Sequence, residues 1–226
     1  MDPSNNAPER KKKELEQEIA VYANMTARDG LAQANEIKVH NQEENRYIDE
    51  TRCRVRKTTK AQQVKFEYTT KVDAGQLASG ITNDNEKTVN VDEPYFLLFC
   101  ETALRAIKKT RYTFFANELH LVINGQDVQL EVPYKFEVDV FTRHHDKQQD
   151  DWVKIDIELT EINRVIAQKF PNAESIKYRF KISELPIAPK EFFFMKQATP
   201  EQKAFISQKW EKDFAFHRKP DPVHAR

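Results

Sequence analysis

The chain has 226 residues, with 36 lysines and arginines against 36 aspartates and glutamates, so its formal net charge is zero although 32% of it is charged. That length suits one sizeable domain with an appendage and can bury a core without disulfide staples. Neutrality excludes a protein whose whole surface is a cationic nucleic-acid face. The four glycines, Gly30, Gly75, Gly80 and Gly125, fit neither G-x-G-x-x-G nor G-x-x-x-x-G-K-[ST]. Any phosphate must therefore be held by side chains.

Cys53 and Cys100 are the only cysteines, too few for a disulfide scaffold or a four-thiolate zinc site. No apolar run is long enough to span a bilayer, and the N-terminus has no signal-peptide core. A reducing, cytoplasmic setting is expected (host cytoplasm for a viral or phage chain), with no membrane partner.

Residues 1–13 are polar and unpatterned and read as a disordered tail, with Lys11, Lys12 and Lys13 solvated. The patterned body runs over 14–185. Its segments alternate with period 2, apolar on one face and charged on the other. Arg52, Arg54 and Arg56 share a face opposite Cys53 and Val55. Lys65, Glu67, Thr69 and Lys71 oppose Val64, Phe66 and Tyr68. A helix is expected over Asp92–Ile107, followed by a strand whose one face carries Lys109, Arg111 and Thr113. Asn124-Gly125 marks a hairpin turn. Glu137 and Asp139 then oppose Phe136, Val138 and Val140, while Asp156 and Glu158 oppose Ile155, Ile157 and Leu159. A second helix precedes Pro171, and Lys177, Arg179 and Lys181 share a last basic face. His144 and His145 fall in a polar loop and read as solvated; Cys53 and Cys100 read as inert core residues.

Residues 186–226 form a C-terminal extension. Phe192, Phe193 and Phe194 cluster after Pro186 and Pro189. Thr199, Pro200 and Gln202 announce one amphipathic helix through a capping box, and the chain frays from His217 on. These aromatics either cap the body or dock a partner, the candidate partner being a second copy in a homodimer; capping is the favoured reading.

Charges sorted by sign are the informative feature. Each strand alone would read as half-buried with a solvated face. Like charges stacked on one face, however, repel unless opposite charge lies among them. Turned inward in a closed barrel, basic walls would hold a polyanion and paired carboxylates a divalent cation.

The order of these segments, from about Tyr47 to Ile162, resembles the CYTH branch of the triphosphate tunnel metalloenzymes. YIDETRCRVRKT is similar to the family's first basic strand, YTTK to its T-x-K strand, KTRY to its K-x-R-Y strand, and FEVDVF with KIDIELTEI to its acidic strands. The family's E-x-E-x-K strand is met by Glu16, Glu18 and Ala20, so its lysine is alanine here, and helical spacing fits that stretch equally well. Its R-x-E-x-E strand falls near EKTVNVDE, where the carboxylates are missing.

The resemblance implies an α+β fold: an antiparallel, eight-stranded closed barrel with helices packed outside. It implies a triphosphate in the tunnel, cradled by Arg52, Arg54, Arg56, Lys71, Lys109, Arg111 and Arg179. Mg²⁺ or Mn²⁺ would be held by Glu16, Glu18, Glu137, Asp139, Asp156 and Glu158, with Asp156 and Glu158 in the catalytic role. The expected activity is metal-dependent hydrolysis of inorganic tripolyphosphate, a nucleoside or thiamine triphosphate, or an RNA 5′-triphosphate. The alternative is a degenerate barrel that binds a nucleotide, triphosphate or RNA end without turnover.

Overall fold

A computed structural model describes residues 16–218 apart from 26, 47–50, 77–81, 181, 183–184 and 188. The expected N-terminal tail, Tyr47 at the start of the family-like stretch, Lys181 and the last eight residues lie outside these. Eleven strands are described: β1 (Glu16–Met25), β2 (Glu36–Arg46), β3 (Arg52–Lys60), β4 (Gln63–Gln76), β5 (Thr82–Asn90), β6 (Arg105–Ile123), β7 (Gln126–Thr142), β8 (Gln149–Glu158), β9 (Ile176–Arg179), β10 (Pro189–Phe194) and β11 (Ala215–His217). Three helices accompany them: α1 (Glu93–Thr102), α2 (Thr160–Lys169) and α3 (Pro200–Lys209). The stretch around Glu16–Ala20, which fitted strand and helix alike, is strand.

The eight-stranded closed barrel is not what forms. The strands make one eleven-stranded antiparallel sheet in the order β10-β1-β5-β4-β3-β2-β6-β7-β8, with β9 and β11 also on β6. One edge of β1 pairs with β8 over Glu18–Asn24. Its other edge, which a barrel would give to β5, is divided. Glu16–Glu18 pair with β5, and Val21–Met25 pair with β10. The sheet curls toward closure without the continuous ladder of a barrel. The cause is the PKEFFF segment, read as an aromatic cluster of the extension, which is itself a strand and takes the edge of β1. The helices are likewise few and short, ten residues each, and do not form an outer layer.

Local chemistry explains the elements. Asp92 caps α1 by accepting the Tyr95 N–H at 2.9 Å. Thr199 and Gln202 complete the capping box of α3. Asn124 and Gly125 both take positive φ, 50° and 84°, the geometry that lets β6 and β7 form one long hairpin. Gly30 is buried in a short 3₁₀ turn (Asp29–Gln33), where a Cβ would lie 1.7 Å from the Pro186 carbonyl oxygen; that close approach is open only to glycine.

Period-2 alternation gives the sheet two unlike faces. On one, Val21, Val138, Val140, Val153, Ile155 and Ile157 are buried against Ile162 and Ile166 of α2 and against Leu31, Ile182 and Ile187. The other face carries the charges. A second, smaller apolar cluster closes one end of that charged face. Tyr22, Ile107 and Phe141 from the sheet meet Ile206, Phe214 and Ala215 of the C-terminal segment. Trp210 begins a π-helical turn (Trp210–Phe214) and donates its indole N–H to the Tyr22 hydroxyl at 2.8 Å. The extension thus seals the end of the charged face, where capping of the outer surface had been expected.

Phe214 is 1% exposed and stacks on Phe141 at 4.3 Å. Phe214→Ala is expected to lower the unfolding free energy by about 4 kcal/mol, by lost burial and the cavity left behind. Urea unfolding measures it; a loss below about 1 kcal/mol would show that the cap is not part of the folded unit.

Candidate functional site

The charged face is built by strands whose like charges are neutralised from the next strand over. Register sets Arg54 opposite Thr69 and Arg52 opposite Lys71 between β3 and β4, and Lys71 opposite Glu86 between β4 and β5. Arg111 lies opposite Asp139 between β6 and β7, and Glu137 opposite Asp156 between β7 and β8.

Arg111 is the hub. Its Nε and Nη2 both donate to Asp139 at 2.7 Å, its Nη1 donates to Glu137, and its Nη2 lies 3.5 Å from Asp156. Lys109 also donates to Asp139, which is fully buried. Lys135 bridges Glu137 at 2.9 Å and Glu158 at 2.8 Å, and Lys154 meets Asp156 at 2.7 Å. On the far side of the face, Glu86 holds Arg54 at 2.9 Å and Lys71 at 2.5 Å.

The acid–base balance follows. Burial works against the ionised forms of Asp139 and Glu86. Lys109 and Arg111 at Asp139, and Arg54 and Lys71 at Glu86, outweigh it and hold both carboxyls below their usual range. Lys109 is pulled down to about 8 by burial, with Arg111 adding to the effect and Asp139 opposing it. Arg56 falls to about 10 through burial and the neighbouring Arg54 and Arg111.

Beside the apolar cap lies a cavity of about 390 Å³, within the range of small-ligand sites. Arg52, Arg54, Lys71, Arg105, Lys109 and Lys154 line it, with Glu44 the carboxylate among the lining residues. Tyr22, Phe141 and Trp210 form its aromatic end. Five cations of this lining, all but Arg105, stand on the strands read as charged. Arg56 and Arg111 lie on the same sheet face but do not line the cavity.

Of the expected phosphate set, Arg179 is not brought in. β9 pairs with the far part of β6, and Arg179 sits in an exposed ion pair with Asp127 at 2.7 Å near the hairpin tip. Of the expected metal set, Glu137, Asp139, Asp156 and Glu158 share the face on β7 and β8. Backbone register sets Glu18 opposite Glu158 and Glu16 opposite Asp84, while the side chains of Glu16 and Glu18 lie outside the described residues. Oxygen-only donors suit Mg²⁺ or Mn²⁺, but the arrangement does not fit an ion as it stands. Lysines and arginines hold these carboxylates, and no group of three or more candidate ligands forms among the described residues.

Several residues of the site had no clear sequence signal. His40, Gln42 and Glu44 stand on β2, whose sequence EIKVHNQEENR alternates only over its first five residues and is polar on both faces from Asn41 on. Glu86 opens the stretch EKTVNVDE, where the family's carboxylates were read as missing. Trp210 comes from the extension.

No protein-family profile matches the sequence, and no curated protein matches it. Solved structures do. The PH1819 protein of Pyrococcus horikoshii OT3 aligns with a TM-score of 0.40 at 13% identity, over 72% of this chain and 94% of that one. The PH1012 protein of the same organism aligns at 0.40 and 16%, over 70% and 92%. A conserved hypothetical protein of Pyrococcus furiosus aligns at 0.39 and 13%, over 73% and 97%. Likeness at that level carries no argument about function. Among the described residues no helix is long and apolar enough to cross a membrane.

His40 gives the face a pH signature. It is 3% exposed. Burial, then Arg56, Lys109 and Arg111, lower its pKa from 6.5 to about 3, with Asp139 opposing. The folded state needs the neutral ring, so this contribution to stability is full above pH 6.5 and is lost as pH falls toward 3. In His40→Gln that loss is absent. The stability of wild type minus variant should therefore shrink between pH 7 and pH 4 in urea titrations; a difference that stays constant would contradict the buried neutral imidazole.

Proposed function

We propose that the protein binds a triphosphate-bearing ligand in the cation-lined cavity: inorganic tripolyphosphate, a nucleoside or thiamine triphosphate, or the 5′ end of an RNA. One observation carries this reading: six basic side chains converge on about 390 Å³ with Glu44 as the carboxylate among them, in a chain of zero net charge. Glu86, Asp139 and Asp156 meet four of these cations from the surrounding face, while the predominantly basic lining gives the recess itself a field that favours an anion. The planar forks of Arg52, Arg54 and Arg105 suit bidentate contact with phosphoryl oxygens. Lys71, Lys109 and Lys154 add point charges. The low exposure of these groups limits screening by salt.

Metal-dependent hydrolysis of the same ligand is a second reading. The register favours it: Glu18 opposite Glu158, and Glu137 opposite Asp156, put four carboxylate-bearing positions on the adjoining strands β1, β8 and β7. An ion would have to compete there with Lys135 and Lys154.

Calorimetry with tripolyphosphate tests the first reading. Wild type is expected to bind, and Arg54→Ala to bind about tenfold more weakly or worse, the worth of one charge-assisted contact. Equal affinity of wild type and Arg54→Ala would remove the cavity as the site. Phosphate release with Mg²⁺ or Mn²⁺, abolished in Glu158→Ala, would establish hydrolysis. Binding without release would leave a binding protein.

A further inference from the structure

The carboxylates of the charged face are spent on its lysines and arginines, yet three buried donor atoms on β2 and β3 are not. The Nε2 of His40 and the Nε of Arg54 and of Arg56 have no hydrogen-bond partner among the described residues. Buried donors without acceptors are rare in folded proteins and mark places where a partner is supplied from outside. We propose that the bound anion extends past Arg54, which lines the cavity, toward Arg56 and His40, which lie on the same face beside it, and that the His40 Nε2–H joins the Nε–H groups of Arg54 and Arg56 in a row of donors for its phosphoryl oxygens. This rests on the triphosphate-binding reading and extends it to a strand that carries none of the expected site residues.

The geometry places the three together. His40 lies opposite Thr58 on β3 and opposite Lys109 on β6, and Gln42, two residues along, lies opposite Arg56. Arg54 and Arg56 follow on the same face of β3. The Thr58 hydroxyl is 3.1 Å from His40 Nδ1. When that hydroxyl donates to Nδ1, the ring proton resides on Nε2, the atom left without a partner.

The charged groups around the ring are Arg56 on β3, Lys109 and Arg111 on β6 and Asp139 on β7. Their excess of positive charge, together with burial, keeps the imidazole neutral. A neutral donor suits this place: it adds a hydrogen bond without a further cation beside Arg56, Lys109 and Arg111. The same surroundings disfavour a divalent cation at Nε2. Asp139, the carboxylate that acts on the ring, is already bound by Lys109 and Arg111, and the unpartnered Oε1 of Gln42 is a single acceptor, so three donors are matched by a ligand that brings several oxygens.

Nitrogen-15 NMR of the histidine rings, on the full chain titrated with inorganic tripolyphosphate, tests the proposal directly. The ligand-free protein should show the Nε2–H tautomer for His40, and its Nε2 resonance should shift as tripolyphosphate binds. Calorimetry should show His40→Leu binding about tenfold more weakly. His40→Gln, whose amide N–H₂ reaches the Nε2 position, should stay within about threefold of wild type. If wild type binds and Arg54→Ala weakens binding, while the His40 resonance stays still and His40→Leu binds as tightly as wild type, His40 is not a contact and the triphosphate reading stands. If wild type takes up no tripolyphosphate, both fall. Should His40→Leu not fold, the wild-type resonance and His40→Gln decide the matter.

Discussion

The structure depends on one constraint: charges removed from water on a curled sheet face must neutralise one another across strands. Leaving a buried charge unpaired costs several kcal/mol, a large share of a domain's stability margin. Arg111 meets that constraint for three carboxylates at once, and Asp139, with no exposed surface, is held by Arg111 and Lys109 together. Like charges stacked along one strand, such as Glu137 with Asp139, are tolerated because a basic strand lies beside them. β6 is the basic neighbour of β7, and β4 with β5 supplies Glu86 to β3. The pairing also fixes register. A slip of one residue between β6 and β7 would turn Asp139 to the apolar face and Val138 or Val140 to the charged one.

The same pairing leaves the cations unevenly distributed. Toward β7 and β8 the carboxylates Glu137, Asp139, Asp156 and Glu158 sit among their cations. Toward the apolar cap the cations, though met by carboxylates of the face, outnumber them around a recess. Arg52, Arg54, Lys71, Arg105, Lys109 and Lys154 gather around a recess that Tyr22, Phe141 and Trp210 close at one end. The cap and the recess are one construction: the indole of Trp210 both seals the face and forms part of the cavity wall.

Much of this pattern was legible in the chain. Alternation marked β3, β4, the start of β6, β7 and β8. Asn124-Gly125 marked the long hairpin, and Thr199-x-x-Gln202 marked α3. Sign-sorted charge pointed to a polar sheet face whose stacked like charges meet opposite charge, and neighbouring strands supply much of that charge. Three things escaped for physical reasons. β2 alternates only over EIKVH and is polar on both faces beyond it, too short a period to mark a strand, so His40 and Glu44 were not singled out. β10 is six residues long and begins with proline, so its pairing with β1 is a long-range event without a local signal, and with it went the regular barrel. Arg179 shares the alternation of a basic strand, but β9 joins the far end of β6, where Arg179 pairs with Asp127 away from the cavity.

The division of β1 bears on how the molecule is made. The residues that this strand needs are almost the whole chain away: Glu18–Asn24 wait for β8, and Val21–Met25 wait for β10. Only three pairs with β5 form earlier in the sequence. During synthesis β1 therefore has only its three pairs with β5 until β8 has emerged, and its edge toward β10 stays open longer still. Loop closure over such separations is slow. Assembly of the site is in this way coupled to segments far along the chain: until Trp210 has emerged, the bases of the recess lack the indole that closes one end of it.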